Sequence, residues 1–580
     1  MKKLIVTIIP LVSWILLFSQ TVIPGGYVSG TWLISGAPYQ IEGEITIADG
    51  ETLTIDPGVL VEFQGHYKFN VQGQLLAIGT EQDSIRFTIN DTTGFHLPDV
   101  SDGAWDGIQF YETLATNDSS KIIYCRLEFS KTPTQEITDW NGGAIYIHDF
   151  SKLLISNCLI TNNRAQSGGG ICIRENSNPI LRSNIIISNI TNGHRSHGGG
   201  ICIRNNSSPT LINNIVNNNS VRGTINYGGG IYIGRDSNPI LFNNIISYNY
   251  ASGLSTMGIG INIYHNSNPT LIGNIIENNY QIGYGTNGGG LSIWYHESSP
   301  ILINNLITNN SSRFGGAIFC GRATPILINN TITGNTSFHG GSIYLSGIYT
   351  HSNPLIINSV LFGNSPEEIF FDEIAVNSVI ITNSVIEGGQ SGIITNNFSI
   401  VYWLDGNLDE DPLFIDPGEE DFHLQDISPC IGAGIDSIEI NETWYFAPDI
   451  DIEGNPRPDP NDSMPDIGAY ENPLGEPFVE VNDIQFSIVD FSLSNYPNPF
   501  NPSTTIEFSI RNNSHIELSI YNIKGQKIKT LAQNEFTKGS HSIIWSGEDE
   551  TEKKVASGIY LYKLNVNGTL KETRKCVLLK

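Results

Sequence analysis

Charged residues are scarce in this chain, at 15% of 580 residues against about a quarter in typical domains. Basic residues are scarcer still: 30 Lys and Arg face 58 Asp and Glu, a formal charge of -28. A phosphate backbone would meet repulsion, which argues against nucleic acid as a partner. Seven cysteines (125, 158, 172, 202, 320, 430, 576) are too few for a disulfide scaffold in so long a chain. No stretch reaches the roughly 20 apolar residues of a comfortable membrane-spanning helix, so none is expected in the mature chain.

The longest apolar run is Leu4–Phe18, preceded by Lys2 and Lys3 and interrupted by Pro10. This is the layout of a signal peptide over residues 1–20, and Sec export is expected. No cysteine stands near the cleavage point, which excludes a lipid anchor there.

What the chain has in abundance is repetition. Gly-Gly-x-Ile recurs with its aliphatic residue at 145, 171, 201, 231, 261, 291, 318 and 343, in steps of 25 to 30. A proline column (179, 209, 239, 269, 300, 325, 354) and two asparagine columns run with it. The first of these is Asn157, Asn184, Asn214, Asn244, Asn274, Asn305, Asn330 and Asn358; the second runs from Asn163 through Asn189 to Asn364. Each apolar run is four to six residues, rich in β-branched Ile and bounded by Gly, Pro or Asn. That is too short for the helices of ankyrin or tetratricopeptide repeats. Three short strands per coil are expected, with nearly all length variation at one corner, which is eight residues in the long units and four in the short ones. Coils about 4.8 Å apart would stack like residues, so Asn amides can bond from coil to coil; the other reading is that Asn tolerates left-handed turns.

This region resembles the right-handed parallel β-helix family, the fold of pectate lyases and many bacterial surface proteins. The resemblance implies an all-β solenoid, with cap and first coils at 23–140, repeats at 141–400 and an acidic closing segment at 401–472. Between Asp405 and Asp490 there are 23 acidic residues and one basic, Arg457. Asp449, Asp451 and Asp466 are candidate Ca²⁺ ligands, the other reading being turn caps.

After a linker at 473–492, short alternating strands over 493–580 argue for a small antiparallel sandwich of Ig-like type. The motifs YPNPFNP (Tyr496–Pro502), YNIKGQ (Tyr521–Gln526) and GIYLYK (Gly558–Lys563), with the basic end, resemble the type A C-terminal sorting domain of type IX secretion substrates. That resemblance implies the type IX machinery as a partner. The product would be secreted or attached to the outer membrane surface of a Gram-negative cell.

In each Gly-Gly-x-Ile strand the isoleucines face inward and their neighbours outward. The outward columns are Tyr146, Cys172, Cys202, Tyr232, Asn262, Ser292, Phe319, Tyr344, and His148, Arg174, Arg204, Gly234, Tyr264, Trp294, Gly321, Ser346. His148, Arg174, Arg204, Tyr232, Tyr264 and Trp294 are therefore candidate ligand-binding residues for a polysaccharide or cell-surface glycan, rings on aromatics and uronates on arginines. An ordinary exposed sheet carries such residues too. His194, Arg195, His197, Arg222, Tyr227, Tyr280 and Tyr284 would add to the edge. Asp149 and Glu175, in equivalent positions of adjacent coils, are the one candidate catalytic pair; a solvated turn charge is the cheaper explanation. The polygalacturonase and pectate-lyase signatures are absent. Adhesion or glycan binding is the expected role, with a lyase or glycoside hydrolase acting on acidic polysaccharide as the alternative. Cys172 and Cys202 should stack, although parallel Cβ vectors disfavour a disulfide.

Overall fold

The structure is a computed structural model that describes residues 20–133, 142–282, 285–347, 351–373, 376–478, 491–510 and 512–579. The expected signal peptide, save residue 20, most of the linker and Tyr284 lie outside these residues. The chain divides into two compact units: residues 1–455 with 465–472, and residues 456–464 with 473–580.

In the first unit each coil lays one short strand on each of three parallel sheets, which hold 14, 13 and 14 strands among the described residues. Face I contains Ile231–Gly234, face II Ile240–Phe242 and face III Ile245–Ser247. Register is strict, with Ile231 beside Ile201 and Ile261, Leu241 beside Leu211 and Leu271, and Ile246 beside Val216 and Ile276. One continuous core runs from Trp32 to Ile393, built from these inward columns. The solenoid is stable because every coil buries its aliphatic residues against two neighbours, which no coil could do alone.

The corners hold polar ladders. Asn214 donates from its backbone N–H and its amide to Asn244 Oδ1, both at 2.9 Å, and Asn244 repeats this toward Asn274. The second column does the same from Asn163 to Asn364. A third ladder passes the backbone N–H of Ser177, Ser207 and Ser237 to the next serine hydroxyl. Asn thus satisfies groups that burial would otherwise strand. The first column needs a correction at both ends. Asn157 and Asn358 occupy left-handed turn positions (φ 53° and 47°), alongside Asn213 and Asn243. The ladder residues in those coils are Cys158 and Ser359, which accept or donate in its place. Asn suits both adjacent positions, so spacing alone could not separate them.

The long corner is not a loop. In the 30-residue coils it forms two further short strands, such as Tyr250–Ser252 and Ser255–Met257, which stack into sheets of their own.

The acidic segment runs back along the solenoid's side. Asn383, Asn358, Asn329 and Asn304, successive members of the left-handed column, donate their amides to Ala433, Ile435, Asp466 and Ile450 carbonyls. Its antiparallel pair Ser437–Ile440 and Thr443–Phe446 covers the outer side of face II at Ile328, Leu355 and Ile357.

The second unit has two antiparallel sheets of three and four strands enclosing a separate core that includes Leu493, Phe508, Leu518, Trp545 and Tyr562. Among the described residues no helix is long and apolar enough to cross a membrane.

Candidate functional site

Face I carries the residues expected to bind ligand, and the structure divides them. The first outward column does face away from the core, yet all of it is buried. The extra corner strands fold back over this face. His197 stacks on Tyr227 with centroids 5.2 Å apart and meets Tyr232 edge-on at 4.8 Å. Tyr146, Cys172, Cys202 and Tyr232 therefore form a second apolar cluster, with Tyr227 and Tyr264 at its margin. Burial, with Arg204, Arg235 and Arg195 nearby, holds the His197 imidazole well below 6.5. The ring is neutral packing material, not a proton donor. Burial also pushes the Cys172 thiol up. Cys172 and Cys202 stack in register, and none of the seven cysteines forms a disulfide.

Arg204, 4% exposed, is likewise withdrawn from solvent. His148, Arg174, Tyr264 and Trp294 remain half-exposed. Glycine makes the aromatic rings lie flat: a Cβ at Gly321 would collide with the Trp294 indole, and one at Gly234 with the Tyr232 ring. Both glycines leave floor space where every other coil has a side chain.

The structure adds a third column that alternation could not supply. Beyond each face I strand a left-handed residue turns the corner: Asp149, Glu175, Asn205, Arg235, His265, Tyr295 and Arg322, with φ between 51° and 80°. Tyr295 stacks on Tyr264 at 5.6 Å and 10°, and Arg322 lies over Trp294 and Tyr295 at 5.9 and 5.5 Å. The strand carrying Trp294 is the longest on this face, and its register shifts between Trp294 and Ser298. Such a shift re-aims side chains at a sheet rim. Tyr264, Trp294, Tyr295 and Arg322 thus make one aromatic and cationic platform. The signal was present in the sequence, since the coil spacing that aligns Asp149 with Glu175 also aligns Tyr295 with Arg322.

The same column explains the carboxylates. Asp149 and Glu175 sit in left-handed turns; Asp149 is exposed, and Glu175 accepts from the Asn205 amide and lies 3.6 Å from Arg174. Both carboxylates thus stand at the turn that ends a face I strand.

The candidate Ca²⁺ ligands are not gathered. Among the described residues no group of three His, Cys, Asp or Glu could hold a metal ion. Asp451 Oδ1 accepts from Glu453 and Asn455 N–H at 2.9 and 2.8 Å and its Oδ2 from Glu471 N–H at 3.1 Å. Asp466 accepts from Gly432 and Asn472 N–H, both at 2.7 Å. These buried carboxylates tie the acidic segment together through backbone amides. Asp449 is exposed.

The coils that carry the platform are also the basic part of the solenoid. Residues 164–322 hold nine arginines, no lysine and four acids, a basic stretch in a chain of net charge -28.

Residues 107–305 match the family model described as the right handed beta helix region, and residues 494–579 match that of the secretion system C-terminal sorting domain. No curated protein matches the chain.

Proposed function

We propose that this chain, a right-handed β-helix that carries a type IX sorting domain and is secreted or attached to the outer cell surface, binds acidic glycans along face I and so acts in adhesion or glycan capture. The observation that carries this reading is the platform of Tyr264, Trp294, Tyr295 and Arg322 within an arginine-rich stretch. Flat half-exposed rings suit the apolar faces of sugar rings, and guanidinium groups suit carboxylate or sulfate. The burial of Tyr232 and Arg204 assigns them to support.

On an array of uronate-containing, sulfated and neutral polysaccharides, the chain is expected to retain the acidic ones, less so as salt rises. Trp294→Ala and Arg322→Ala should each weaken retention about tenfold, equivalent to about 1.4 kcal/mol. Gly321→Ala, which displaces the indole without removing it, should act in the same direction. Unchanged retention in all three variants would refute the platform. Incubating the same polysaccharides and assaying reducing ends and unsaturated uronates tests cleavage; products that disappear in Asp149→Ala or Glu175→Ala would replace binding with catalysis.

A further inference from the structure

Face III changes character in its last coils. Along the strands Leu306–Thr308, Thr331–Thr333 and Val360–Phe362 the middle residue enters the core, so Thr308, Thr333 and Phe362 line up on the outer side. Three coils earlier that column carries Asn217, Ser247 and Glu277. The left-handed residue that follows the strand is Tyr248 or Asn278 upstream but Gly334 and Gly363 here (φ 67° and 75°). The missing side chains leave room there: a Cβ at Gly334 would stand only 2.6 Å from Asn309 Oδ1.

The acidic segment roofs that space. Strands Phe414–Asp416 and Asp421–Leu424, joined by the turn Pro417–Glu419, hold Phe414 and Phe422 edge-to-face at 5.4 Å. Between roof and sheet lies a cleft of about 380 Å³, within the range of small-molecule sites. Its apolar surface includes Phe362, Phe414 and Phe422 beside Leu413 and Pro417, and its polar groups include Thr308, Asn309, Asp411 and Gln425. Thr308 is fully buried and its hydroxyl has no hydrogen-bond partner among the described residues, a costly arrangement for a polar group unless something bound in the cleft completes it. Among the described residues no Lys, Arg or His lines the cleft, and Glu420, which accepts from the Asn309 amide at 3.4 Å, adds a second acidic side chain next to Asn309.

We propose that this cleft binds a single neutral, polyhydroxylated sugar ring, its apolar side against the phenylalanines and its hydroxyls toward Thr308, Asn309 and Asp411. Hydroxyl groups both donate and accept, matching a set that mixes a hydroxyl, amides and a carboxylate. An anion would be repelled by Asp411 and Glu420 with no compensating cation. The site is independent of the face I platform and opposite to it in charge preference.

Saturation-transfer NMR and calorimetry on the full chain with methyl glycosides of neutral hexoses and pentoses, their uronic-acid counterparts and choline test this. Saturable binding of a neutral glycoside is expected, at least tenfold tighter than its uronic acid. It should weaken at least fivefold in Thr308→Val and Asp411→Asn and be unaffected by Trp294→Ala. If no neutral glycoside binds, if choline binds in preference, or if Thr308→Val and Asp411→Asn leave affinity unchanged, the proposal fails. Loss with Trp294→Ala instead would move the binding to face I.

Discussion

Replacing Asn244 by Leu should be among the most destabilising single changes in the solenoid, although it keeps the branched heavy-atom skeleton of the side chain. Asn244 Oδ1 accepts both the backbone N–H and the amide of Asn214, and its own amide reaches Leu211 O at 3.0 Å in the preceding coil and Asn274 Oδ1 at 3.0 Å in the following one. Leucine would leave two donors of Asn214 buried without an acceptor, at about 1–3 kcal/mol each, so a loss of about 2–6 kcal/mol is expected. Serine should cost less, because a hydroxyl can still accept one N–H, as Ser359 does from Asn330 and Ser384 from Ser359 at the end of the same column. Amide hydrogen exchange is the suitable readout, since coils couple mainly to their neighbours and unfolding need not be two-state. Protection should fall first at Asn214 and the coils around it. Exchange in Asn244→Leu indistinguishable from the parent would mean the ladder is a by-product of stacking and not a cause of it.

The second large effect concerns Glu368 and pH. The second asparagine ladder needs a terminal acceptor, because no Asn stands beyond Asn364. Glu368 supplies it, taking Asn364 N–H at 3.0 Å and the Asn364 amide at 2.7 Å while only 3% exposed. Burial pushes its carboxyl up to about 8, against those two hydrogen bonds and with the Glu387 carboxyl adjacent. An acid whose folded value is raised holds a proton that the unfolded chain releases above 4.5. Its contribution is therefore intact below that pH and is lost as pH rises toward about 8, with a slope of up to about 1.4 kcal/mol per pH unit. Glu368→Gln, which keeps an acceptor for Asn364 and cannot ionise, should flatten the profile across that window and raise protection of the final coils at pH 8. A profile with the same slope in the variant would show that Glu368 is already ionised in the native state. His197 tilts stability the other way: burial depresses it, so acid below 6.5 favours the unfolded chain.

Much of the architecture could be read in advance because a solenoid converts sequence period directly into spatial neighbourhood. Ile201, Ile231 and Ile261 lie 30 residues apart in sequence and side by side in face I. The same translation placed Tyr264 beside Trp294. It faltered where two adjacent positions accept the same residue, at Asn157–Cys158 and Asn358–Ser359, and it stopped one residue short of the corner column that carries Tyr295 and Arg322.

The sequence by itself determined the coil, its three core columns, the polar ladders and the separate sorting domain, since each follows from contacts between residues one period apart or from local strand alternation. Only the tertiary structure decided which outward residues meet solvent. His197 covers Tyr232, and Asp466 meets Asn329 across 137 positions. The first contact depends on how the corner strands fold over face I and the second joins segments that share no period; exposure is a property of what lies on top, which a repeat pattern does not encode.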